Sequence, residues 1–339
     1  MNRNSAVALW LFVVGMLVVV MAALGSWIRQ VPAEPFLRPV CTAVRIWPPW
    51  SRDAWQHALE SDPQSHAAGD APALSPSDLR RYCALWRARK MVGAGLCLVY
   101  FGPLLLFYRN GAILRHRLPA FSAAGFLVLL HSGSLWFKAN TGVTTPIHAA
   151  QLRSAFHFVS ALGLLAVSLW MAYGYFYGQP DPIQPRTSAS LRRASVLFVI
   201  LHALQMTSGN LMASLRAGSV ADSFPFMLGR LIPPGIWSYY PSVWNPLANP
   251  LMVHFQHRWS GFVVLLAAWV QVRRSRMELV PGCLGATATA SAYLILAQIA
   301  LGIALVTLDV PAWLSSVHLL TAMIILATGL LSCHRAFRA

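Results

Sequence analysis

Acidic side chains are scarce in this chain: 10 Asp and Glu stand against 26 Lys and Arg, for a net charge of +16. No carboxylate occupies paired positions within the long apolar runs and no paired helix-breaking motif interrupts them, which leaves a transporter reading with little support. Cysteine is sparse too, at five, without a CxxC or CxxCH motif, which argues against zinc sites and covalently attached haem. Cys41 and Cys83 share one outer loop and could pair in an oxidising compartment, although their spacing does not require it. RNP, zinc-finger and helix-turn-helix patterns are all missing, so the positive charge does not point to nucleic acid. No amphipathic, Ser-rich transit segment precedes the first apolar run, and that run is longer than an ordinary signal-peptide core. A bacterial inner membrane is the expected location.

What the chain has in abundance is apolar length. It is 57% hydrophobic and only 11% charged, the composition of a multi-pass membrane protein. Runs near the ~20 residues needed to span fall at 6–28, 91–108, 120–137, 154–177, 194–215, 253–272, 288–308 and 313–333. The expected fold is all-α, with eight transmembrane helices and both termini on one side. Twelve arginines in the short loops and termini of that side (Arg3, Arg109, Arg115, Arg117, Arg186, Arg192, Arg193, Arg273, Arg274, Arg276, Arg335, Arg338) mark it as cytoplasmic. Membrane lipid is therefore an expected partner.

The two halves echo each other. Arg29 and Arg216 each close a first helix, a long outer loop with a Pro-Pro step follows (Pro48-Pro49, Pro233-Pro234), and the second helix opens with "WRARKMVG" in one half and "HFQHRWSG" in the other. In the fourth helix His157 mirrors His318. Four ordered matches suggest duplication. The expected division is a four-helix bundle over 1–179, a polar cytoplasmic linker over 180–189 and a second four-helix bundle over 190–339, the two being pseudo-symmetric.

Ligating side chains inside a span are functional candidates by default. His257 and His318 lie shallowly inside the outer ends of the sixth and eighth spans, His318 about 8 Å below its helix start at 1.5 Å per residue. Two neutral imidazoles on different helices at similar depth suit bis-histidine ligation of haem iron; the alternative is two unrelated histidines, each hydrogen-bonded to a neighbouring helix. Arg258 is a candidate partner for a haem propionate, with snorkelling as its ordinary alternative. His254 reads as a neighbouring contact and His131 as a core histidine.

The stretches "SLRAGSVADSFPFMLGRLIPPGIW", "NPLMVHFQHRWSG" and "LAQIALGIALVTLDVPAWLSSVHLL", with "SLWFKANTG" and "LRSAFHF" in the first half, resemble the haem A synthase family of cytochrome oxidase assembly. The resemblance implies haem b between His257 and His318 in the second half. It also implies a first-half site that takes haem O and oxidises its C8 methyl to the formyl of haem A, with a haem O synthase or cytochrome oxidase subunits as partners. That first-half site uses an E-x-x-H-R motif and a histidine in the fourth helix. Only His157 carries over: Trp86, Arg89 and Lys90 stand at the Glu, His and Arg positions. A guanidinium stays protonated and cannot ligate iron, and tryptophan is no general base. The alternative is a non-catalytic haem b-binding membrane protein, an electron carrier or oxidase assembly factor.

Overall fold

The computed structural model describes residues 3–29, 41, 53, 76–140, 147–178, 187–278 and 283–338. Among these the fold is all-helical apart from one isolated bridge between Met227 and Arg230. Eight long helices follow one another: α1 Arg3–Arg29, α2 Pro76–Arg109, α3 Leu118–Asn140, α4 Ile147–Tyr177, α5 Ala189–Ser214, α6 Pro250–Met277, α7 Cys283–Thr307 and α8 Ala312–Arg338. Among the described residues six of them, α1, α2, α4, α5, α7 and α8, are long and apolar enough to cross a membrane, and α6 is not. In α6 the cause lies in its opening, where His254, Gln256, His257 and Arg258 dilute the apolar run. The Pro48-Pro49 step, Lys138's side chain and most of the 180–189 linker fall outside the described residues.

Large apolar side chains face outward, including Leu98 (77% exposed), Leu204 (62%) and Leu266 (58%). Such a surface suits lipid rather than water. Inside lipid, helices are held by close packing and hydrogen bonds rather than by apolar burial alone. On α1 the buried stripe Val7, Leu11, Val14 and Val18 repeats at helical spacing and packs on α2 and α4. Trp10 anchors it: its indole N–H donates to the Val99 carbonyl at 2.7 Å, and its ring lies 5.4 Å from Tyr100 and 5.9 Å from Phe121. Gly15 permits the close approach of α1 to α4, since a Cβ there would stand 3.2 Å from Leu165 Cδ1.

The helices of each half pack in the same cyclic order: α1 on α2, α2 on α3, α3 on α4 and α4 back on α1, then α5 on α6, α6 on α7, α7 on α8 and α8 back on α5. The halves meet chiefly through α4 and α1 against α5 and α8. Polar links stitch that seam, with Asn210 Nδ2 donating to Ser154 Oγ at 3.2 Å and the Tyr173 hydroxyl to the Ala327 carbonyl at 3.0 Å.

One feature differs from the sequence expectation and a second decides a pairing that it left open. Helix α2 starts at Pro76, well before the apolar run, because Leu79, Tyr82 and Cys83 form a fully buried stripe on an otherwise polar extension. Cys83 on that extension is joined to Cys41 by a disulfide, a pairing the spacing had left open.

Candidate functional site

Asn249 sets the N-terminal end of α6. Its side-chain oxygen accepts from the backbone N–H of Leu251 at 3.0 Å and Met252 at 3.5 Å, capping the helix. Its amide nitrogen donates to the carbonyls of Gly235 at 2.8 Å and Ile236 at 3.2 Å. The loop after α5 is thus tied to the helix start from which His257 projects two turns later.

His257 and His318 line one cavity of about 580 Å³ between α5, α6, α7 and α8, to which α1 contributes Ser26 and Arg29. Both are half-buried, with the cavity on their accessible side. That volume lies within the roughly 300–1,000 Å³ of cofactor pockets. Each ring presses on a glycine of a neighbouring helix. A Cβ on Gly209 of α5 would stand 3.1 Å from His257 Cε1, and one on Gly302 of α7 would stand 3.3 Å from His318 Cε1. Each ring also has a glutamine beside its backbone: Gln205 Nε2 donates to the His257 carbonyl at 2.8 Å, and Gln298 Nε2 to the His318 carbonyl at 2.9 Å. The Gln205 amide nitrogen lies 3.3 Å from His257 Nδ1, and its oxygen accepts from the Ser260 hydroxyl. His318 Nδ1 and Gln298 Oε1 are buried with no hydrogen-bond partner among the described residues. Buried polar atoms left unsatisfied at a cavity wall point to a missing ligand or water. A haem iron taking one nitrogen from each ring fits this donor set.

His254, one turn before His257, is fully buried and accepts at Nε2 from Arg258 Nε at 2.8 Å. The rest of the Arg258 guanidinium donates to loop carbonyls, to Ser223 at 2.7 Å and Ala221 at 3.2 Å. Arg258 therefore borders the cavity while fastening the loop after α5, and Arg29 and Arg216 are further cations on the same wall. Arg216 follows α5 in the left-handed conformation, at φ 49°. Val310, between α7 and α8, is β-branched at φ 52° and borders the cavity opposite Gly218, so local strain collects at this wall.

The corresponding place in the first half is built differently. Arg89 Nη2 lies 2.8 Å from His157 Nε2, and His157 Nδ1 lies 2.9 Å from Ser134 Oγ. The Ser134 hydroxyl donates to the His131 carbonyl at 2.8 Å, and the His131 ring stacks on His157 with centroids 4.5 Å apart. Because arginine only donates, His157 accepts at Nε2 and its Nδ1–H donates to Ser134. Both ring nitrogens are engaged by protein, and one ring face is covered. Trp86 and Lys90 pair with each other, the ammonium 3.7 Å from the ring centroid. His157 as it stands does not fit an axial iron ligand. Among the described residues no cluster of three or more His, Cys, Asp or Glu side chains could hold a metal ion.

Reading the sequence for ionisable groups missed Gln205, Gln298, Gly209 and Gly302. The signal was present as a Gln-x-x-x-Gly pattern in both α5 ("QMTSG") and α7 ("QIALG").

The chain matches the Cytochrome oxidase assembly protein family (COX15-CtaA) over residues 8–330. It is 32% identical to the Heme A synthase of Methylobacterium radiotolerans over 334 residues, covering 96% of this chain and 88% of that one. It is 29% identical to the Heme A synthase of Beijerinckia indica, covering 95% and 90%. To that of Maricaulis maris it is 28% identical over 100% of this chain and 98% of the other.

Proposed function

The chain belongs to the Cytochrome oxidase assembly protein family, and on that premise we propose that it is a haem-binding membrane protein of haem A biosynthesis. A b-type haem sits in the second half with His257 and His318 as its two iron ligands. The observation that carries this reading is that both imidazoles line a single cavity, each fitted into a glycine notch. When bound, the haem supplies a one-electron redox centre. The chain's own residues supply ring orientation, a largely apolar wall and cations for the propionates. Arg29, Arg216 and Arg258 all border the cavity and suit that last role, Arg258 also holding the loop.

The eight helices are proposed to span the bacterial inner membrane as two pseudo-symmetric four-helix bundles, residues 1–179 and 190–339, joined by the 180–189 linker. The matching cyclic packing order of the halves supports the bundles. Both termini are proposed to face the cytoplasm, and the Cys41–Cys83 disulfide supports an oxidising compartment for the α2 extension. Haem O synthase and cytochrome oxidase subunits are proposed neighbours.

The named relatives support oxidation of haem O to haem A as the activity. A second reading, a haem b protein that does not catalyse that step, is favoured by the Arg89–His157 hydrogen bond, which engages the only histidine carried over into the first-half site. Expressing the intact chain with a source of haem O, in a strain lacking its own haem A synthase, separates the two. Haem A in the extract supports catalysis. Haem O alone supports the second reading.

A further inference from the structure

Helices α5 and α7 each bring two residues, one helical turn apart and on one face, against the histidine of the next helix. The first of each pair, Gln205 or Gln298, donates its amide N–H to the backbone carbonyl of His257 or His318, at 2.8 and 2.9 Å. A carbonyl oxygen has two lone pairs and accepts this bond beside its helical one. The second, Gly209 or Gly302, leaves room for the ring edge, with Cε1 at 3.1 and 3.3 Å from where a Cβ would lie. Together they fix the histidine at both ends, backbone and ring.

We propose that Gln205 and Gln298 are positioning residues for the two haem ligands, each forming with its glycine a clamp that sets the plane of the facing imidazole, Gln298 also setting the tautomer of His318. This inference rests on the haem reading above. Interhelical glutamine bonds are ordinary glue in membrane bundles, but two observations go beyond glue. The first half keeps one comparable glycine, Gly25 on α1, yet has Met21 one turn earlier, so that glycine is not paired with an amide. Gly25 there faces the Arg89 guanidinium, 3.0 Å from Cζ, rather than an imidazole. Secondly, His318 Nδ1 and Gln298 Oε1 are both buried and unsatisfied on the same cavity wall. A histidine that ligates through Nε2 carries its proton on Nδ1 and needs an acceptor for it, a partner that also raises the basicity of the ligand. Gln298, already bonded to the His318 carbonyl, carries in Oε1 an unused acceptor for this proton. On the other side the Gln205 amide nitrogen, 3.3 Å from His257 Nδ1, is a donor and takes no proton from the ring, so Gln205 places His257 through its backbone bond without setting the tautomer.

The test uses the purified full-length protein carrying Gln298→Ala, Gln205→Ala or Gln298→Glu, and reads haem content, reduction potential and the low-spin EPR signature. Loss of the Nδ1 acceptor weakens the imidazole as a donor, so Gln298→Ala retains haem, moves the potential upward and alters the EPR g values. Gln298→Glu, which keeps an acceptor oxygen, holds the potential at or below that of the parent. Gly302→Ala pushes on the ring and converts part of the haem to high spin. If Gln205→Ala should fail to fold, Gln298→Ala and Gly302→Ala still decide. A parent protein with a bis-histidine spectrum, and glutamine and glycine variants indistinguishable from it in potential and EPR, would overturn the clamp alone. A parent protein without such a spectrum overturns the haem reading instead.

Discussion

Arg89 keeps its charge whatever surrounds it, because a guanidinium stays protonated in proteins, so it can serve His157 only as a donor. Removing that donor leaves a buried imidazole nitrogen unsatisfied, which costs about 1–3 kcal/mol. Arg89→Leu is therefore expected to lower the thermal unfolding midpoint of the detergent-purified protein by several degrees, and Arg89→Gln, which keeps an N–H, by less. Equal midpoints for Arg89→Leu and the parent would show that the contact contributes nothing. His257 and His318 stood out in the sequence as candidates because an ionisable group inside an apolar run is rare and costly. The Arg89–His157 bond was not legible there, since it joins residues 68 positions apart through the reach of a long side chain. Gln205 and Gln298 were overlooked for another reason: their amides never titrate, and their meaning depends on which backbone carbonyl lies opposite.

Helix α6 owes its placement to one buried residue. Asn249 caps the helix and binds the loop carbonyls of Gly235 and Ile236, so Asn249→Ala removes a cap and several buried bonds together. The cap alone is worth about 0.5–2 kcal/mol. The expected outcome is a lower midpoint together with weaker haem retention, read as haem lost on dilution or dialysis; loss of stability with unchanged retention would disconnect the cap from His257. Between α5 and α8 the contact is closer. A Cβ on Gly329 would stand 2.7 Å from Cε1 of the fully buried Phe198, a ring stacked on His202. Gly329→Ala is expected to destabilise by roughly 1–3 kcal/mol through overpacking, and an unchanged unfolding midpoint would refute that. The helices themselves were readable from apolar length alone, whereas the start of α2 at Pro76 was not. Its Leu79, Tyr82 and Cys83 stripe is short and set among charges, so hydropathy sees a loop where packing makes a helix.

Over the whole molecule, the repeated cyclic order of helices and the asymmetric placement of histidines belong together: one half keeps His257 and His318 on one cavity, and the other has an arginine bonded to His157. Topology is testable through the disulfide. In intact cells a membrane-impermeant maleimide should leave Cys41 and Cys83 unlabelled and label both from outside after reduction; labelling only from the cytoplasmic side would reverse the orientation. The most direct measurement is the haem content and optical spectrum of the purified full-length protein beside its His257→Ala and His318→Ala variants. One low-spin haem b per chain is expected in the parent, with loss of that signature in each variant. Full retention of the low-spin spectrum in both variants would contradict iron ligation by these two residues.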